Sequence, residues 1–176
     1  MTLVEILVAT AIAGVVLIVV SALTFYSARS FAALTNYVDL DQRSRNALDR
    51  MISEIRQVDF LKTYASTRLE FEGTNPNNSK YTLVYVYDPA AKTLTKTMGG
   101  VSTTLLTECQ ALQFTIFKRN PVAGTHNLVA ADASRPDLVK AIQLSWTCSR
   151  DILGKKANTE SVQSARVVIR KQEKSV

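Results

Sequence analysis

From Ile6 to Ala28 the chain carries no charged side chain, and between Ile6 and Val20 only Thr10 and the small residues Ala9, Ala11, Ala13 and Gly14 interrupt a run of Leu, Ile and Val. A helix needs about 20 apolar residues to cross a hydrocarbon layer, so this block is long enough to span one. Beyond it the apolar positions take up helical spacing: Leu34, Tyr37 and Val38, then Leu48, Met51, Ile52, Ile55 and Val58, at intervals of three and four. Gly14 is the only Gly or Pro before Tyr64, so nothing breaks a helix running from near Thr2 to near Val58. With a rise of about 1.5 Å per residue such a helix is roughly 80 Å long, too long for one small globule to enclose.

After Tyr64 the period changes to two. Leu69 and Phe71 alternate with Arg68, Glu70 and Glu72, and Tyr81 to Tyr87 reads as a strand covered on both faces. Asp88-Pro89-Ala90-Ala91 is a turn signal that lets Thr93 to Met98 return antiparallel to Thr82 to Asp88. Leu112, Phe114 and Ile116 mark another strand, Ile142, Leu144 and Trp146 its partner, and Ala165 to Ile169 a last one. Strands that follow one long helix predict an α+β fold, with the second half of the helix packed on an antiparallel β-sheet globule. The chain thus divides into an apolar helix over 1–28, an amphipathic continuation over 29–62 and a β-rich globule over 63–176.

Composition narrows the chemistry. The 176 residues carry a net charge of +6, with Arg166, Arg170, Lys171 and Lys174 near the C-terminus. Those basic residues are not interleaved with aromatics in any one segment, which makes nucleic acid a weak candidate partner. A cleaved secretory signal needs a basic start, whereas here the charge nearest the apolar run is Glu5. His126 is the only histidine, and neither a Gly-x-Ser-x-Gly elbow nor a phosphate-binding glycine loop occurs, so no catalytic residue, cofactor site or metal site is expected. Asp132 and Asp137 could hold calcium, but without a full ligand set a solvated loop is the better reading.

Cys109 and Cys148 are too far apart for a CxxC redox site and too few for a zinc site. If Leu112 to Lys118 pairs antiparallel with Lys140 to Thr147, the two cysteines come together. Cys109 is then out of phase with Leu112 and Phe114, so a bulge or a loop position is needed to align it. An exported chain would oxidise the pair to a disulfide; two buried free thiols are the alternative.

Mixed charge on the second half of the helix (Asp39, Asp41, Arg43, Arg45, Asp49, Arg50, Glu54 and Arg56) reads as a solvated face, with pairing between neighbouring subunits as the alternative. Glu5 is different. A carboxylate at the edge of a bilayer-length helix needs a partner, and the nearest cation is the amine of Met1. In a stack of parallel helices the amine of an incoming subunit meets Glu5 of one already in place, which sets axial register while apolar surface supplies the attraction.

With these features Thr2-Leu3-Val4-Glu5-Ile6-Leu7-Val8-Ala9 and the block after it resemble the mature N-terminus of type IV pilins and type II secretion pseudopilins. The segment Tyr37 to Leu48 is similar to PilW-like proteins and to the minor pseudopilin J group. The resemblance implies a type IV pilin fold, removal of a short leader by prepilin peptidase and N-methylation of Met1, where the family usually has Phe. It implies residence in the inner membrane, then extrusion by an assembly platform and ATPase into a filament with other pilins, at the cell surface or as a periplasmic pseudopilus. Glu5 carries over as the register residue. Many pilins have a Pro near position 22, where this chain has Ser21 and Ala22; Gly14 with Val15, Val16, Ile18, Val19 and Val20 is the alternative place for the helix to loosen. The chain is expected to be a structural subunit of the filament. A minor subunit that primes assembly, or a membrane-anchored β-rich binding module, are the other readings.

Overall fold

The computed structural model describes residues 2–122, 124–151 and 160–170. Among the described residues one uninterrupted helix, α1 (Leu3–Gln57), is followed by nine strands: β1 (Phe60–Ala65), β2 (Arg68–Thr74), β3 (Lys80–Asp88), β4 (Thr93–Met98), β5 (Val101–Leu106), β6 (Cys109–Arg119), β7 (Leu128–Ala130), β8 (Val139–Ser149) and β9 (Glu160–Val168). The α+β architecture is as expected. The helix ends at Gln57 and β1 begins at Phe60, so the boundary read at 62/63 falls inside a strand. β-Branched and aromatic residues did not announce β1, because Phe60-Leu61-Lys62-Thr63-Tyr64 alternates only weakly.

The strands form two antiparallel sheets rather than one: a meander β1-β2-β3-β4-β5 and a second sheet in the order β7-β6-β8-β9. The hairpin expected after Asp88 is present, with Asp88 opposite Thr93 and Leu83 opposite Met98. Gly99 and Gly100, with φ of 58° and 83°, make the two-residue turn into β5 that left-handed backbone at both central positions requires. The chain leaves the first sheet at Glu108, itself at φ 60°, and begins the second at Cys109, opposite Cys148. Hydrogen bonds tie the sheets: Phe114 N–H donates to the Ser66 carbonyl at 2.9 Å and Cys109 N–H to the Lys92 carbonyl at 3.0 Å, while the hydroxyls of Tyr64 and Tyr87 donate to the carbonyls of Phe114 at 2.8 Å and Cys109 at 3.0 Å.

Both sheets and α1 contribute to one core. Met51 and Ile55 of the helix meet Leu61, Leu69, Phe71, Leu83, Tyr85 and Leu94 of the first sheet and Phe114, Ile142, Leu144, Trp146 and Val167 of the second. On α1 the buried positions are Leu40, Ser44, Ala47, Met51 and Ile55, one stripe at spacings of three and four. Leu34, Tyr37 and Val38, read from the sequence as part of that stripe, are exposed. The small Ser44 and Ala47 occupy the packed face instead, letting backbone approach closely where hydropathy alone gives no signal.

Candidate functional site

No side chain from Leu3 to Val38 is buried by the chain itself. The segment contains an 18-residue window long and apolar enough to cross a membrane, with none of it covered. Two of its hydroxyls bond back to the helix: Thr10 donates to the carbonyls of Ile6 and Leu7 at 3.0 Å, and Thr24 to the Val20 carbonyl at 2.8 Å. Back-bonding of this kind hides hydroxyls from an apolar surrounding, where an unpaired one is costly. From Ile6 to Ala28 the rod is therefore an apolar surface without a charged group.

Glu5 lies three residues past the N-cap, and its carboxylate accepts the Thr2 N–H at 3.4 Å, a capping interaction that also suits the positive end of a helix. In the single chain its partner is thus its own backbone. Met1 lies outside the described residues, so its pairing with Glu5 has no structural counterpart here. The helix runs unbroken through Gly14 and Val20, and a Cβ at Gly14 would meet nothing within 4 Å. No intrachain packing requires glycine at this position, where loosening is expected on assembly.

The rod is clamped to the globule by groups that the sequence suggested were solvated. Arg150, just past β8, donates from Nε to Glu108 Oε1 at 2.8 Å, from Nη2 to Glu108 Oε2 at 2.6 Å and to Asp39 Oδ2 at 3.1 Å, and from Nη1 to Asn36 Oδ1 at 3.2 Å. A guanidinium is suited to this because its planar fork satisfies several acceptors at once. The hydrogen bonds from Arg150 hold the Glu108 carboxyl below the usual carboxylate range. Asp41 accepts from Ser161 Oγ at 3.3 Å and Gln163 Nε2 at 3.0 Å on β9. Farther along, the Glu54 carboxylate takes hydrogen bonds from the Tyr85 hydroxyl, Lys96 Nζ and Arg50 Nε. Burial alone would raise the Glu54 carboxyl, but those three bonds outweigh it and hold it low, while burial and Glu54 push the Tyr85 phenol well up. Asp39, Asp41 and Glu54 are clamps within the chain, not a solvated face. No local pattern announces Arg150, Glu108 or Lys96, because each meets its partner only across the tertiary fold.

Cys109 and Cys148 are register partners on β6 and β8, and the register shifts between Cys109 and Ala111, the bulge that their parity demanded. Both are buried free thiols, so the disulfide expected from the sequence is not formed in this structure; the fold supplies proximity, and oxidation requires an acceptor of electrons. The hydrogen bond with Cys148 and burial push the Cys109 thiol up. Asp137 is engaged by Arg135 at 3.1 Å and Asp132 caps the Ser134 N–H at 3.0 Å. Among the described residues no group of three or more His, Cys, Asp or Glu side chains is placed to hold a metal ion. Arg166 stacks over the Phe117 ring at 4.2 Å; Lys171 and Lys174 lie outside the described residues.

The fold and the rod together define an α+β protein whose N-terminal helix stands out of its globule with its apolar surface bare. No family model, curated protein or solved structure matches the chain.

Proposed function

We propose that this chain is a structural subunit of a helical filament of the type IV pilin kind, held in a membrane before assembly and packed through its N-terminal rod afterwards. The observation that carries this reading is the uncovered apolar length of α1 on a helix that continues without a break into the core. Burying one Leu, Ile, Val or Phe side chain contributes about 1.5–3 kcal/mol, and more than a dozen such side chains are exposed between Leu3 and Leu34. A surface of that size is stable only under lipid or under other rods.

A bilayer alone would make the chain an anchored binding module, and the membrane-spanning length supports that as the second reading. Glu5 favours the filament. A carboxylate at the leading edge of the rod gives an approaching subunit one axial position to neutralise, a use for buried charge in which register counts for more than stability. The same reading gives the chain other pilins, a prepilin peptidase and an assembly platform with its ATPase as partners, and asks no catalysis of the globule.

Electron microscopy of material sheared from cells, with mass spectrometry of the fibres, tests the proposal. The chain is expected in the fibres, and Glu5→Ala is expected to reduce its incorporation at least tenfold, in line with loss of a desolvated charge partner. A chain found only as a monomer in the membrane fraction would overturn the filament and leave the anchored module.

A further inference from the structure

Phe25, Tyr26 and Phe31 are 74%, 73% and 70% exposed, the aromatic side chains of the rod before Tyr37. Arg29, also exposed, is the first charge after Glu5. With about 100° of rotation per residue, Phe25, Arg29 and Tyr26 fall within roughly 100° of one another and Phe31 lies on the far side. The four lie on both sides of the helix within a band of about 9 Å along its axis. A contact with a neighbouring rod needs a stripe along one face, whereas a short band with members on both faces suits a planar boundary across the axis.

The distances fit such a boundary at a bilayer surface. From Ile6 to Phe25 the helix rises about 29 Å, against a hydrocarbon core about 30 Å thick. With Phe25 at one face of the core, Glu5 reaches the other face and both charges stand in headgroup layers. From Arg29 to Asn36, the first helix residue that Arg150 grips, the rise is about 10 Å, enough to clear a headgroup layer of roughly 5–8 Å. The globule begins where the membrane ends.

We infer that Phe25, Tyr26, Arg29 and Phe31 form an interfacial collar that seats the solitary subunit at a fixed depth in a phospholipid bilayer, with Arg29 paired to lipid phosphate. A Tyr ring and a long cationic side chain both settle at the headgroup level, hydroxyl and guanidinium toward water and apolar parts toward the chains, while the two Phe rings add apolar surface to the band. The inference rests on the membrane stage of the proposed function. It adds what fixes the depth and which lipid group is met.

The test places tryptophan at two depths in the full chain, Leu17→Trp and Tyr26→Trp, in vesicles of phosphatidylethanolamine and phosphatidylglycerol whose acyl chains carry bromine either near the glycerol or near the chain end. Both positions are exposed, so the fold tolerates them, and Trp146, buried in the core, supplies the baseline in the parent chain. The ratio of shallow to deep quenching is expected to exceed one for Tyr26→Trp and to fall below one for Leu17→Trp. Alanine at positions 26, 29 and 31 together in the Leu17→Trp chain is expected to bring that ratio towards one, as the depth is no longer held. Deep quenching at both tryptophans, or a ratio unmoved by the three alanines, would overturn the collar and leave the membrane stage standing. Quenching at neither position above the parent chain would overturn both.

Discussion

Glu54 stands on the helix face that meets the first sheet, where Lys96 is only 6% exposed. An ammonium so placed depends on its carboxylate: removing one member of a buried pair costs more than the pair ever contributed, because the other is left charged and dry. Glu54→Gln is therefore expected to destabilise the chain by about 3 kcal/mol, the lower end for such a pair because Glu54 itself is partly exposed. Urea unfolding followed through Trp146 reads this as a lowered midpoint, and adding Lys96→Met is expected to restore most of it. A double variant no better than the single one would show that the ammonium is not the source of the loss.

At the level of elements, the helix, the β3–β4 hairpin and the β6–β8 pair were all legible, because Leu112, Phe114 and Ile116 against Ile142, Leu144 and Trp146 set the register that the structure has, including the bulge beside Cys109. β5 was missed although Gly99-Gly100 between β-branched runs signals a hairpin. The division into two sheets was not legible: it turns on the left-handed backbone at Glu108, and no sequence pattern marks Glu108 for that conformation. The apolar rod and Glu5 could be read directly, but the clamps of Asp39, Asp41 and Glu54 could not, since each is completed by a residue distant in the chain. Two expectations belong at this scale. Oxidation of Cys109 and Cys148 is expected to stabilise the globule by about 4 kcal/mol in the chain-entropy model, measured as the difference in urea unfolding with and without reductant; equal midpoints would argue against a native bond. Gly14→Ala is expected to strengthen the helix locally by about 1 kcal/mol, seen as slower amide exchange around residues 14–20 in detergent, while exchange in the globule stays the same.

For the molecule as a whole, acid and base should act through different groups. Glu54 and Glu108 are held below their ordinary value of 4.5, so their contribution is complete above that pH and is lost as pH falls through the lower values of the folded chain. Tyr85 is displaced upward from 10.0, so its contribution is complete below that pH and declines as the unfolded chain ionises above it. Thermal unfolding in detergent is expected to give a plateau between about pH 5 and 9 with a fall on each side. In Glu54→Gln the acid fall should be shallower; an unchanged acid limb would assign it to other carboxylates.

Between Gly14 and Gly73 the chain has neither glycine nor proline, and α1 passes from bare rod to clamped core with no change of conformation. Between Gly14 and the globule the helix consequently has no glycine or proline joint. A pull on the globule would pass along the helix to the Gly14 region, so in a fibre made of such pieces the stretch would be taken up there or between neighbouring rods.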